Sequence, residues 1–480
     1  VQKPIASRRA AAKMVLTMKS LLLAAALAPL AFTSARADYF LSPADTKWFH
    51  DQANTVVQEA RIAPGETAGG TDKPGDKNTT PYVIYVPDGP RAYGAFFPRD
   101  SNMDLGADFI SQKDVEGYIR LMAATVLQTP WQVRPGIKVP AWTLPDHVYL
   151  NGKANYWPGP QTGNDMGGGS FQSEPPLDDT YFFLFTVAEQ ARMAGNVDFL
   201  KQKVAIAGGE IPLADLCLEV YYSSPVDPAT GLVQTGDIDT PDNAHDFGFC
   251  DGVAKSGKLL FTSVLRYDAA KRLAPLFRKI GHADIADRML AEAAKIKKNL
   301  GPTFYHDSGM PGEGWLHSAT NFSNQPDVWG SAYAVEIGAV MPDEAKKVAR
   351  SLLRGYQDHS LVKNGWVTQV LMNDPKFPKG WQRSTCNFGD YQNGGFWGTG
   401  TGWYILALNT LDPAAAKAMT NDFVKDLRAN LQPNGTTQAW EVINGFGTQF
   451  QHAGYLATVA FPYAQLTEAG LLDPSFVHPH

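Results

Sequence analysis

"IADRMLAEAAKIKKNL", residues 285 to 300, places Ile285, Met289, Ala293, Ile296 and Leu300 at steps of three and four, with charged residues between them. That period is one stripe of an α-helix and not the alternation of a strand. Outward from it, the same period predicts helices at roughly 43–61, 103–128, 177–194, 197–222, 256–278, 282–300, 328–338, 343–357, 396–410, 413–430 and 451–469. Boundary residues agree, since Gly195-Asn196 follows one stretch, while Pro342-Asp343 and Asp412-Pro413 open others. The expected class is all-α.

Short turns alternate with long loops along this series. The long ones gather Gly, Trp, Asp and Asn: "FFPRDSNMDL" (96–105), 157–179, "QTGDIDTPDNAHDFGFCDG" (234–252), "NFSNQPDVWG" (321–330), "CNFGDYQNGGFWGTGTGW" (386–403) and "QAWEVINGFG" (438–447). Helices paired by short turns on one face and returning by long loops on the other describe a toroid whose working face is the long-loop side. Loops on a rigid scaffold are where binding and catalysis concentrate. Trp and Tyr beside Asp, Asn, Gln and Arg suit a sugar, which offers C–H faces for stacking and hydroxyls for hydrogen bonds.

Met18-Lys19, the apolar run after it and the A-x-A pattern at Ala35–Ala37 read as a secretory signal peptide, so residues 1–37 are set aside and 38–480 is expected to fold as a single domain. No later stretch approaches the roughly 20 apolar residues of a membrane span. The expectation is an exported protein, periplasmic or extracellular, with no membrane insertion after signal cleavage. Without 1–37 the chain carries 36 basic against 48 acidic residues, a formal charge of −12, because six Lys and Arg and no acid are removed. Nucleic acid is a poor partner for such a surface. Three cysteines are too few for a disulfide scaffold, and no ligand spacing calls for a metal or any other cofactor. Cys217 reads as a core thiol, and a pairing of Cys250 with Cys386 stays open. Oligomeric state is not legible.

Together "FPRDS", "PPLDDTYFFL", "DTPDNAHDFG", "DYQNGGFW" and "AWEVINGFG" resemble the ordered loop motifs of the six-hairpin glycosidases, the (α/α)6-toroid enzymes that include glucoamylases, trehalases and the glucosidases of glycoside hydrolase family 63. The resemblance runs from about residue 45 to 470. It implies cleavage of an α-linked glucoside- or mannoside-type oligosaccharide by an inverting enzyme with two carboxyl groups. An inverting pair stands about 6.5–9.5 Å apart to admit water, and a retaining pair about 5 Å apart.

The family 63 pattern G-x-D-N-[SA] maps the general acid onto Asp242, although Thr240 stands where the pattern has Gly; Asp239 and Asp237 are the alternatives. Crowded carboxyl groups in a partly dehydrated loop raise one pKa, as a proton donor requires. An acidic turn in solvent is the competing reading of the same stretch. Glu441, just before the last helix, is the expected base. Arg99 and Asp100 match a pair that grips hydroxyls of the non-reducing sugar in the glucoamylase-like group. Asp178 and Asp179 either bind substrate or cap the helix that follows. Tyr391, Gln392, Asn393 and Trp397 read as a sugar-lining loop, with Trp329, Trp397 and Trp440 as sugar-facing aromatics. His245, His317 and His452 form no recognisable triad, GTGTG at 398–402 lacks the lysine of a phosphate loop, and MGGGS at 166–170 suits a lid. The competing classes are a toroid-fold polysaccharide lyase, a sugar epimerase, a phosphorylase and a non-catalytic carbohydrate-binding protein.

Overall fold

The stripe at 285–300 is the buried side of a helix: Ala286, Met289, Ala293, Ile296 and Leu300 are buried, and Ile285 packs half-buried beside them. The computed structural model describes residues 38–68, 76–89, 93–134, 137–156, 177–235 and 252–476. Among these residues there are twelve α-helices. They are α1 Pro43–Glu59, α2 Pro98–Met103, α3 Gln112–Thr125, α4 Asp179–Ala194, α5 Leu213–Ser223 and α6 Leu260–Lys279. The second half holds α7 Ala283–Phe304, α8 Val328–Glu336, α9 Pro342–Gln357, α10 Thr401–Asn409, α11 Pro413–Ala429 and α12 Leu456–Glu468. Tyr39–His480 clusters as one compact unit. No helix of the described residues is long and apolar enough to cross a membrane.

Local chemistry sets the helix ends. The Ser42 side chain accepts from Asp45 N at the start of α1, and Asp412 accepts from Ala414 N and Ala415 N ahead of Pro413 in α11. α4 stops on Gly195 at φ 65°, a conformation that only glycine reaches without strain. Packing follows chain order. α2 lies against α4, α4 against α6, α6 against α8, α8 against α10, α10 against α12, and α12 returns to α2. The odd-numbered helices pack outside this closed ring, α7 on α6, α9 on α8 and α10, and α1 on α12. A helix in the ring has neighbours on all sides, so it is apolar all round: every residue of α10 from Thr401 to Leu408 is buried.

Two expected helices are interrupted, and two others, 396–410 and 451–469, begin later than expected, at Thr401 and Leu456. The stretch 103–128 is broken after α2, through Asp104–Ile110, where Asp108 takes a left-handed φ of 59°. The stretch 197–222 contains a hairpin, Lys203–Ile206 paired with Gly209–Pro212, before α5 begins. The long loops also carry short strands. Val362–Lys363, Trp366–Thr368, Phe396–Trp397, Val442–Ile443 and Phe450–Gln451 form a five-stranded antiparallel sheet. It joins the loop before α10 to the loop before α12 by pairing Phe396 with Ile443. Ala95–Phe96 pairs with His147–Tyr149 and so joins the loops before α2 and α4. These stitches fix the site described next.

Candidate active site

Glu441 immediately precedes the strand Val442–Ile443, and its backbone N–H donates to Gln451 O and His452 O. Its side chain is 2 % exposed. The Tyr93 hydroxyl donates to Oε2 and the Tyr391 hydroxyl to Oε1, each at 2.9 Å, and His452 Nε2 lies 3.9 Å from Oε2. Three residues around this carboxyl hold left-handed backbone without being glycine: Tyr391 at φ 43°, Ala439 at 39° and His452 at 41°. Such conformations cost of order 1–3 kcal/mol each and collect where a side chain must be aimed.

Glu441 shares a pocket with Pro87, Tyr93, Phe97, Arg99, Asp100, Asp146, Tyr391, Gln392 and Tyr455. The pocket therefore draws on the loops before α2, α4, α10 and α12. Arg99 and Asp100 begin α2, where Pro98 supplies the first turn. The Arg99 guanidinium meets Asp146, and lies 3.6 Å from Asp178 Oδ2 and 3.7 Å from Asp179 Oδ1. Asp146 Oδ2 is 2.7 Å from His147 Nδ1. The Tyr455 hydroxyl donates to Asp100.

One guanidinium thus serves four buried carboxyl groups. Burial disfavours the Arg99 charge, but Asp178, Asp179, Asp146 and Asp100 together outweigh it and hold the group protonated. Burial pushes Asp100 up to about 6 against the opposing pull of Arg99 and Tyr455. Burial pushes Asp179 well above the usual carboxylate range, and both of its oxygens lack a hydrogen-bond partner. Asp104, one turn below, is raised by burial and by Asp100. Asp100, with a value of about 6, can exchange a proton close to neutrality, which suits a surface that exchanges hydrogen bonds with hydroxyl groups.

Of the sequence candidates, Glu441, Arg99, Asp100, Tyr391 and Gln392 line the pocket, and Asp179 lies behind Arg99. Capping does not explain Asp178 and Asp179: neither makes a side-chain cap at α4. Asn393 is spent on structure, accepting from Trp381 N and donating to Lys379 O and Cys386 O. Trp440 packs on Phe450 at 5.2 Å and is not in the pocket wall. The expectation that Trp329 and Trp397 stack on a sugar is corrected. They are 2 % and 0 % exposed, so no ring face is open for stacking. Instead Tyr391 lies 4.9 Å from Trp397, Trp397 5.9 Å from Trp329, and Trp329 5.9 Å from Trp403, an aromatic septum under the pocket.

Asp237, Asp239 and Asp242, with His245 and Cys250, lie outside the described residues, as does the glycine-rich stretch 166–170. The described residue that follows this acidic stretch is Gly252, whose N–H donates to Gln392 Oε1 in the pocket wall at 2.9 Å. A Cβ at Gly252 would stand 3.1 Å from Cys386 Sγ and 3.2 Å from Gln392 Oε1.

Sequence reasoning missed Tyr93, Asp146 and Tyr455. Each is a single residue in unremarkable text. The Asp-His pair at 146–147 inside "LPDHVY" is the one local signal that points to a buried polar contact. Among the described residues no group of three His, Cys, Asp or Glu is arranged to hold a metal ion.

No family model and no curated protein matches this sequence. Among solved structures, the chain is similar to a wild-type glycosidase with a TM-score of 0.51 and 15 % identity, over 90 % of this chain and 100 % of that one. It is also similar to a GH78 family rhamnosidase of a Bacillus species, with a TM-score of 0.51 and 13 % identity, over 89 % of this chain and 35 % of the rhamnosidase. The shared property at these identities is the helical fold.

Proposed function

We propose that the closed ring and its outer helices are an (α/α)6 toroid, and that the chain is an exported, inverting, exo-acting glycoside hydrolase acting on an α-linked glucoside- or mannoside-type oligosaccharide. The observation that carries this reading is Glu441: a buried carboxyl group gripped by Tyr93 and Tyr391, in one pocket with Arg99, Asp100 and Asp146. In the proposed mechanism Glu441 is the ionised base that takes a proton from water as the water attacks the anomeric carbon. Two tyrosine hydroxyls stabilise its charged form and aim it. Arg99 and Asp100 bind hydroxyls of the terminal sugar. A carboxylic acid from the stretch 236–251, Asp242 first and Asp239 or Asp237 otherwise, protonates the leaving oxygen. The anchoring of Gly252 on Gln392 supports that assignment, because it brings the end of the acidic stretch to the pocket wall.

The decisive experiment follows hydrolysis by NMR and reads the anomeric form of the first product, with Asn substituted singly at 237, 239 and 242. Loss of the proton donor is expected to be severe on a natural glycoside and slight on a glycosyl fluoride, whose leaving group departs unaided. If Asp239→Asn shows this pattern and Asp242→Asn does not, the acid is Asp239. Full activity in all three variants returns the stretch to an acidic surface turn.

Tyr391→Phe tests the grip on the base. Removing a donor from the carboxylate raises the pKa of Glu441, so the acid limb of the kcat/KM profile is expected to move to higher pH by roughly one unit. An unmoved limb with lowered kcat would make Tyr391 a packing residue. Export by way of 1–37 belongs to the same proposal and is read by N-terminal sequencing of protein recovered outside the cytoplasm.

A further inference from the structure

Beneath the aromatic septum lies a second cavity of about 290 Å3. α2, α4, α6, α8, α10 and α12 all contribute to its wall, so it occupies the axis of the ring on the side away from Glu441. Phe182, Phe185, Tyr333, Trp403 and Phe461 supply aromatic surface, and Trp403 is also the last ring of the septum.

The charged side chains of this cavity are three glutamates, Glu189, Glu336 and Glu468, and one arginine, Arg272. Glu336 is the last residue of α8 and Glu468 the last of α12. Helix C-termini carry partial negative charge and ordinarily favour Lys or Arg there. Glu336 Oε2 is shut off from solvent and has no hydrogen-bond partner, and Gln465 Oε1, also in the wall, is likewise unpartnered. Arg272 donates to Asp268 at 2.9 Å and lies 4.8 Å over the Phe185 ring. The Tyr333 hydroxyl also donates to Asp268. Glu189 is bridged by Arg192, which bridges Asp108 as well. Three carboxyl groups, Glu189, Glu336 and Glu468, therefore line the cavity beside one guanidinium, Arg272, while Asp268, Arg192 and Asp108 continue the ion-pair network outside the lining.

We propose that this axial cavity is a binding site for a small organic ammonium ion, distinct from the pocket around Glu441. Carboxylates at helix C-termini give the attraction, and aromatic faces give a cation–π wall that a compact alkylammonium fills. Arg272 over Phe185 already shows the wall receiving a cation. A hydrated calcium ion fits worse, because it needs six to eight oxygen ligands and the wall is largely apolar. The protonation of Glu336 agrees: burial first, then Asp268 and Glu468 against Arg272, push it up to about 8, and a bound cation relieves that unfavourable charge.

Calorimetric titration of the full chain at about pH 9, above the Glu336 value, compares choline with its uncharged isostere 3,3-dimethyl-1-butanol. Choline is expected to bind roughly tenfold more tightly than the alcohol. Glu336→Gln is expected to lower choline affinity by a similar factor while leaving the alcohol, and turnover of glycosides, unchanged; Glu468→Gln is a second variant at the rim. Equal affinity for the two probes would show a merely apolar cavity. That result, the absence of choline binding, choline binding indifferent to both substitutions, or binding of calcium chloride alone each overturns the proposal.

Discussion

Glu441→Gln is expected to lower kcat by about 10^2–10^4-fold with little change in KM, the range a general base contributes. Glutamine keeps the size of the side chain and still accepts a hydrogen bond from Tyr93 or Tyr391, so the pocket stays formed. What it loses is the capacity to take a proton from water. The loss is therefore expected to be equally severe for aryl glycosides, glycosyl fluorides and natural substrates, in contrast to the leaving-group dependence expected of an acid variant. A Glu441→Gln protein with activity within about threefold of the parent would remove this residue from the chemistry and the proposed function with it.

Arg99→Leu carries the largest expected effect on stability. It withdraws the cation shared by Asp100, Asp146, Asp178 and Asp179, all buried, and the cost of leaving such charges unpaired is about 3–5 kcal/mol. The sign of its pH dependence follows from the same groups. Without Arg99, which opposes the rise at Asp100 and Asp179, those two carboxyl pKa values climb further above their unfolded values near 3.9. The folded variant then takes up protons that the unfolded chain does not hold, so its deficit grows as pH rises and shrinks as pH falls. Urea unfolding is expected to show a deficit near pH 8 that is visibly smaller near pH 5. A deficit of the same size at both would assign the loss to packing of the guanidinium stem and not to charge. Arg99→Lys restores a cation without the planar fork, and is expected to recover part of the stability.

The fold was legible wherever a helix was long enough to repeat its stripe. α7 and α9 announce themselves by period and α11 by its Asp412-Pro413 start. α2 did not, because six residues from Pro98 to Met103 cannot establish a period. The two-residue strands Phe396–Trp397 and Val442–Ile443 are equally silent, since their pairing is made by neighbours distant in sequence. In the candidate site, Arg99, Asp100, Glu441 and Tyr391 stood out through motif text. Asp146 and Tyr455 did not, for their meaning lies entirely in what folding brings beside them. Trp329 and Trp397 were placed on the wrong side of the wall. An aromatic in Gly-rich text reads the same whether it faces a ligand or supports the residue that does, and here Trp397 lies against Tyr391.

The return of α12 to α2 has a consequence for how the protein comes into being. Tyr93 meets Glu441 across 348 positions of chain, and Tyr455 meets Asp100 across 355. Phe40 N donates to Leu471 O at the same join, so the earliest and latest described segments are clasped directly. Contacts of such separation carry the largest closure entropy and form late. The pocket therefore straddles a seam. A nascent chain that stops short of residue 441 has Arg99 but no Glu441 to face it, so it can hold eleven of the twelve described helices and still have an incomplete pocket. If the proposed function holds, turnover requires the fastened circle and doubles as a gauge of completed assembly.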